Sequence, residues 1–443
     1  MNKKNKQLLS SLICAAALFC ASLACAQSTA TVSDYQGFRD SFADTGTETI
    51  SFSTDIFNIT SLQPTNMGNT NKIINGNGHI LDGNKASGLL IQNNGGLTLT
   101  LKNITLQNMN VALELNNCPN SVVNFEEKVT FYDNTNSYRG GAICINANAV
   151  NSTLAFKGSD IQFLNNKADY DGGAIYLTGS TTLDFLNTNL TAIENKAKFA
   201  GGFLYLLDSS EIRNVLFGNI EISSNNAGTL GGAIYAIGSS SKLVFSGANT
   251  EFSYNHASDG GAIYVGSGVS VDFSSAALKA IGNSATGSGG FMFTNGQIIN
   301  FGKDVEMSSN TASGSGGALY LNYGSVTFGG TNTAINFNTS SGNGGAISLN
   351  GNATVDFSST NLTAIGNKST NGSGGFLYLD NKTVSFYGNV EMSSNTAGNL
   401  GGALYLNGGS VTFGGTNTTI TTINFNNSSS SYSSYGGAIY LSG

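Results

Sequence analysis

The stretch Gly172-Gly-Ala-Ile-Tyr-Leu177 decides the reading of this chain, because it returns almost unchanged along the sequence. It reappears as Gly231-Gly-Ala-Ile-Tyr-Ala236, as Gly316-Gly-Ala-Leu-Tyr-Leu321 and again at Gly401–Leu406. Glycine pairs begin at Gly140, Gly172, Gly201, Gly231, Gly260, Gly289, Gly316, Gly344, Gly374, Gly401 and Gly436, spaced 27 to 35 residues apart. Self-similarity at such a period marks a repeat architecture, in which each unit is completed by its neighbours.

Each interval holds the same three short apolar segments. The first follows the glycines. The second reads aliphatic, any residue, Phe, and supplies Phe156, Phe185, Phe217, Phe245, Phe273, Phe301, Phe328, Phe357, Phe386 and Phe413. The third alternates and ends in Asn, at 134, 166, 195, 225, 255, 283, 310, 338, 367 and 395. Three period-two segments joined by Gly, Ser and Asn turns describe one turn of a three-faced β-solenoid of about 29 residues. The expected fold is all-β, a right-handed parallel β-helix, since parallel crossovers are right-handed. About 14 turns at the ~4.8 Å parallel spacing give a rod on the order of 65 Å long.

Stacked turns convert each position into a column of like residues. The Phe column is expected inside as an aromatic stack. The Asn column (Asn134, Asn166, Asn255, Asn310 and Asn395 among its members) belongs at a corner, where amides bond one another and the backbone. The glycine pairs Gly140 and Gly141, Gly172 and Gly173, Gly231 and Gly232, and Gly260 and Gly261 fit a tight or positive-φ turn after it. Ala follows the pair except where Phe203, Phe291 and Phe376 replace it every third turn, so the duplicated unit is three turns.

Residues 1–26 read as a secretory signal peptide: Lys3, Lys4 and Lys6 precede an apolar run closed by Ala24-Cys-Ala26. Cleavage after Ala26 is the first reading and lipidation at Cys25 the other. Residues 27–70 read as an N-terminal cap with an amphipathic helix at 34–44, and 71–443 as the β-helix, regular from 130. A cap shields the first open turn from edge pairing.

The chain carries a formal charge of −7, and without its leader 16 − 26 = −10. That balance argues against a nucleic-acid partner, which needs clustered Lys and Arg. Cys118 and Cys144 remain after the leader, as a disulfide between coils or as two small buried side chains.

Catalysis on a β-helix needs a constellation of acids, or acids with a metal and a base. Here the acids are scattered. Asp169 and Asp171 flank a turn and are expected to stay solvated, and Asp184, Asp272 and Asp356 are three turns apart. His79 and His256, the two histidines, lie nearly 180 residues apart. The expectation is no enzyme, no cofactor and no metal. The alternation that turns Ile175 and Leu177 inward turns Tyr176 outward, and with it Tyr205, Tyr235, Tyr264, Tyr320, Tyr378, Tyr405 and Tyr440. Such a ladder either binds sugars or a protein partner, or is covered and pads the sheet.

The combination of Gly-Gly-Ala-[Ile/Leu/Val] (for example Gly140–Ile143, Gly260–Ile263 and Gly344–Ile347) with Phe-x-x-Asn at Phe131–Asn134, Phe163–Asn166 and Phe252–Asn255 resembles the repeats of the polymorphic outer-membrane proteins of chlamydiae. Other turns keep the Asn but replace the Phe with Ala, Ile or Met. The resemblance spans residues 130–443. It implies an autotransporter passenger at the surface or outer membrane of a Gram-negative-type bacterium, acting as an adhesin toward a host-cell or matrix protein or glycan. No barrel pattern occurs in these 443 residues, which end at Leu441-Ser-Gly within a turn, so anchoring is expected from outside this sequence. The alternatives are a non-catalytic surface-layer spacer rod and, after it, a β-helical polysaccharide lyase or hydrolase.

Overall fold

A computed structural model describes residues 28–57, 65–93, 95–207, 214–238, 240–380, 382–414, 421–429 and 437–442. The leader and Gly436 lie outside the described residues. The chain winds into a parallel β-solenoid of about 13 turns with about 28 residues per turn. The segments after the glycines form a 14-stranded sheet in strict chain order, for example Ile175–Thr178 on Leu204–Leu207 on Ile234–Ile237. Every pairing in it is parallel and one turn apart, which is the geometry the repeat demands.

The other two segments form the remaining faces, each a parallel ladder, such as Lys242–Phe245 on Ser270–Phe273 and Thr250–Ser253 on Leu278–Ile281. They belong to one 23-stranded sheet. In Val122–Tyr132, Thr182–Ile193 and Asn214–Ser223 the strand runs straight through the bend between them, with register shifts at Glu126/Val129 and Phe185/Asn189. A further strip of eleven two-residue strands follows the Asn corner, such as Lys167–Ala168 on Lys196–Ala197. Two residues are too short to carry a periodicity, so this strip is invisible in the sequence pattern.

The Phe column stands inside, and begins one turn earlier than the repeats suggest, at Phe125. Its rings stack at 4.3 Å (Phe125–Phe156), 3.9 Å (Phe156–Phe185) and 4.7 Å (Phe217–Phe245), and continue to Phe386–Phe413 at 5.1 Å. Each fully buried Phe removes an apolar side chain from water, ~1.5–3 kcal/mol.

The Asn column is a continuous amide ladder. Asn166 Nδ2 donates to Asn195 Oδ1 at 2.9 Å and to the backbone carbonyl of Phe131 at 3.0 Å, while its own backbone N–H donates to Asn195 Oδ1 at 3.0 Å. The same set recurs at every rung from Asn134 to Asn395, and the ladder extends one rung further, to Asn426. The amides from Asn134 to Asn395 are fully buried. Each satisfies its two donors and its acceptor oxygen within the stack, which is what makes burying it affordable.

The glycine pair divides its work. The first residue is left-handed, with φ 66° at Gly140, 65° at Gly172, 61° at Gly231 and 62° at Gly260. The second is in the ordinary region but has no room: a Cβ at Gly173 would lie 2.1 Å from the carbonyl oxygen of Gly202, one at Gly232 2.0 Å from that of Gly261, and ones at Gly141 and Gly261 2.5 Å and 2.1 Å from those of Gly173 and Gly290.

At the N-terminal end, helix Tyr35–Ala43 buries Tyr35, Phe38 and Phe42, with Asp34 accepting from the Gly37 N–H as its cap. Lys72 is 1% exposed beneath it and donates to the carbonyls of Asp44 and Thr47, at the negative end of that helix. Strand Thr29–Val32 pairs parallel with Thr49–Phe52, which pairs with Lys72–Asn75. The sheet therefore crosses residue 70 without a break, and the helix is an insertion covering the first coil.

Candidate functional site

Alternation places the tyrosine column outside the main core, and the rings then find one another. Tyr176, Tyr205, Tyr235 and Tyr264 stack at 5.2, 4.9 and 5.5 Å, Phe293 carries the stack to Tyr320 at 5.0 and 4.9 Å, Ser348 interrupts it, and Tyr378, Tyr405 and Tyr440 resume at 5.0 and 5.3 Å. Ring faces are thus spent on ring faces. Tyr176 is 4% exposed, in a small outer cluster with Val111 and Cys144, and the rungs from Tyr205 to Tyr405 are half-buried. Desolvation raises the phenol pKa of Tyr176, Tyr205, Tyr264, Tyr378 and Tyr405, and that of Tyr235 to about 12.

The first rung is closed by Arg139. Its guanidinium lies 4.8 Å from the Tyr176 ring centre and 4.6 Å from that of Tyr138, its Nη1 donates to the Tyr176 hydroxyl at 2.9 Å, and its Nε sits 3.4 Å from Asp171. Asp171 is therefore not solvated: its side chain is 13% exposed, and burial raises its pKa against the lowering effects of the Ala200 N–H and Arg139. Asp169 does stay outside, 3.3 Å from Lys167. Beside them runs a second, exposed aromatic column, Tyr138, Tyr170 and Phe199, with centres 5.0 and 5.5 Å apart. These three fall in a loop between strands, where no apolar period picks them out.

The scattered acids have local work. Asp184, Asp272 and Asp356 each accept from the N–H two residues on, at Leu186, Ser274 and Ser358, and so build the same turn in three coils. His79 Nδ1 lies 3.2 Å from Asp55, and His256 Nδ1 2.8 Å from the Ser284 hydroxyl. Among the described residues no group of three or more His, Cys, Asp or Glu is placed to hold a metal ion. Cys118 and Cys144 are free, on opposite sides of the coil wall: Cys118 in the main core, Cys144 in the outer cluster. Burial pushes their thiols up to about 11 and about 12, which makes them poor nucleophiles.

One surface was not anticipated. A groove of about 340 Å³ runs across four turns of the large sheet, with Glu251, Lys279, Asp304, Glu306 and Asn332 in its lining. On the first and last of those turns, just past the ends of strands Thr250–Ser253 and Asn332–Asn336, stand Tyr254 and Phe337, 65% and 60% exposed.

Residues 29–144 match the model of a putative pectate lyase-like adhesive domain, and residues 160–178, 249–266 and 304–322 match the Chlamydia polymorphic membrane protein repeat. Each repeat match runs from the third segment through the Asn corner and the glycine pair into the next strand. Searches of curated proteins and of solved structures return no match. The chain thus carries three matches to the polymorphic membrane protein repeat behind a region similar to a putative pectate lyase-like adhesive domain.

Proposed function

We propose that this chain is the adhesive passenger of a surface protein, a β-helical rod that binds a host-cell or matrix protein or glycan. The observation that carries the reading is that the adhesive-domain match and the polymorphic membrane protein repeats lie on one uninterrupted coil. Rod and binding surface are then the same object. Secretion through the leader, attachment to the outer membrane by a barrel or other anchor outside these residues, and a part in virulence belong to the same proposal. So does the absence of catalysis, which is supported by Asp184, Asp272 and Asp356 being engaged in turns and by His79 and His256 serving different coils.

A spacer rod is the competing reading, favoured by one observation: the tyrosine column satisfies its own ring faces. The two part in a binding assay. The full chain, applied to fixed epithelial cells and to immobilised matrix proteins, is expected to bind saturably; binding no greater than that of an inert protein on every surface would leave the spacer. Release of unsaturated products from polygalacturonate by the purified chain would overturn the non-catalytic part.

A further inference from the structure

The groove and its aromatic rim are where the outer surface departs from its own regularity. The position before the Asn corner is left-handed in nearly every turn, with φ 56° at Ser224, 57° at Ser309 and 58° at Ser394. Small or amide residues suit that conformation, and a bulky ring there is an outlier. Yet Tyr254, Phe337 and Phe425 occupy it at φ 55°, 57° and 54°, one in every third turn. Three turns at the parallel spacing put neighbouring rings ~14 Å apart along the rod.

The next turn is cut to fit them. Gly282 follows Tyr254 and Gly366 follows Phe337, and a Cβ at either glycine would fall 2.6 Å from the ring of its aromatic neighbour. The backbone N–H of each aromatic donates to the carbonyl of the residue before that glycine, Tyr254 to Ile281 and Phe337 to Ile365. Unlike the tyrosine column, these rings do not stack on one another. Each is backed by glycine on one side and open on the rest. Strained residues held in place by their surroundings concentrate at functional surfaces.

The groove has a mostly apolar lining, with Ala248, Ala277, Leu278, Val305 and Ala334, and carries its polar groups along that apolar surface. Glu251, Asp304 and Glu306 outnumber Lys279 in its lining, with Asn332 at its end. That balance repels an anionic ligand and offers acceptors to hydroxyl groups. A protein partner or a second copy of this chain fits less well, because the rings are isolated between serines at 308 and 309 rather than merged into a continuous apolar core.

We infer that the groove between the turns of Tyr254 and Phe337 binds a neutral, linear glycan, with sugar rings laid on the two aromatics and hydroxyls bonded to Glu251 and Glu306. The inference rests on the adhesive reading only in taking a glycan as the ligand. Phe425 repeats the aromatic step one unit further on, which suits a polymer longer than one groove.

The test is affinity electrophoresis of the full chain in gels containing galactomannan, glucomannan, a neutral β-glucan or polygalacturonate. At least one neutral polysaccharide is expected to retard the wild-type chain. Tyr254→Ser with Phe337→Ser is expected to weaken that association by about tenfold or more, whereas Tyr138→Ser with Tyr170→Ser leaves it unchanged. Ser stands at the same position, in the same conformation, in three other turns, so the variant fold is secured by precedent within the chain. No retardation by any of the three neutral polymers, equal retardation by polygalacturonate, or an undiminished double variant overturns the inference. Cell and matrix binding is measured on the same two proteins. If the double variant loses retardation yet still adheres, the groove assignment stands and the adhesive contact lies elsewhere; if wild type never adheres, the adhesin reading fails whatever the gels show.

Discussion

Phe203 packs into the room that Ala192 leaves in the same turn. Ala192 pairs with Phe163 of the preceding turn, and the Phe203 ring lies 5.4 Å from the Phe163 ring, both aromatic rings fully buried. The exchange recurs: Ala280 pairs with Phe252 and is followed by Phe291, 5.7 Å from Phe252, and Ala364 is followed by Phe376. Turns with Phe, Ile or Met at the inner position have Ala after the glycines. The turns that depart from Phe-x-x-Asn with Ala are therefore compensated rather than degenerate. One large side chain per turn is delivered from either of two corners.

That compensation predicts a strong coupling. Phe203→Ala is expected to cost ~3–5 kcal/mol through the cavity it opens, and Ala192→Phe ~1–3 kcal/mol through overpacking. The double variant moves the ring to the other corner and is expected to fall short of the sum by at least about 1 kcal/mol. Denaturant midpoints of the four proteins measure this directly. Simple additivity would mean the two residues do not share one space.

How much of this was legible in the sequence depends on period and length. The coil, the inward Phe column and the Asn corner were readable because each recurs at one position per turn. The continuity of a few strands across the bend between two faces was not, since Thr182–Ile193 reads the same whether the strand bends or breaks at Phe185. Outward direction at Tyr176 followed from alternation, but its 4% exposure depends on Arg139, a loop residue from the turn before. Tyr254 and Phe337 could have been found, by asking which bulky side chains recur every third turn at the residue before Asn.

The amide ladder is expected to be least tolerant in its middle. Asn255→Ala removes the acceptor of both the backbone N–H and the Nδ2 of Asn225, and the donor to the Ile222 carbonyl. Leaving several buried groups unpaired costs on the order of 3 kcal/mol or more. At the half-buried last rung, Asn426→Ala is expected to cost about 1 kcal/mol, because water reaches the groups it exposes. Thermal unfolding of the two variants ranks them, and equal losses would argue against a cooperative buried ladder.

Two glycines, Gly173 of a corner pair and Gly296 of a turn between strands, should separate two effects that are usually confounded. At Gly173 a methyl group meets the Gly202 carbonyl at 2.1 Å, backbone that can yield only by parting two coils, so Gly173→Ala is expected to cost more than about 3 kcal/mol. At Gly296 φ is 86° but nothing lies within 4 Å of the added Cβ. Gly296→Ala then carries the conformational penalty alone, ~1 kcal/mol. Soluble yield and unfolding midpoints of both variants test the ranking. Comparable losses would mean that the coils yield to the added methyl group, and that close contact between them does not set the requirement at Gly173.

The half-buried tyrosines make the fold sensitive to alkali. Their folded pKa values lie above the ordinary phenol value of about 10, with Tyr235 at about 12, because burial penalises the phenolate. A group whose pKa is higher in the folded state binds its proton more tightly there. Its contribution to stability is complete below pH 10 and is lost as pH rises through the folded value. Stability is thus expected to be flat on this account up to about pH 10 and to fall between about pH 10 and 12. Replacing Tyr205 and Tyr235 together by Phe keeps the stacked rings and removes the ionisable groups, so that variant should resist alkali better than wild type. Near-ultraviolet phenolate absorbance, followed with circular dichroism on one titration, tests it. If the column ionised before the sheet signal changed, in step with free tyrosine, the rings would be solvated and the stack would not be the cover of the coil that its geometry describes.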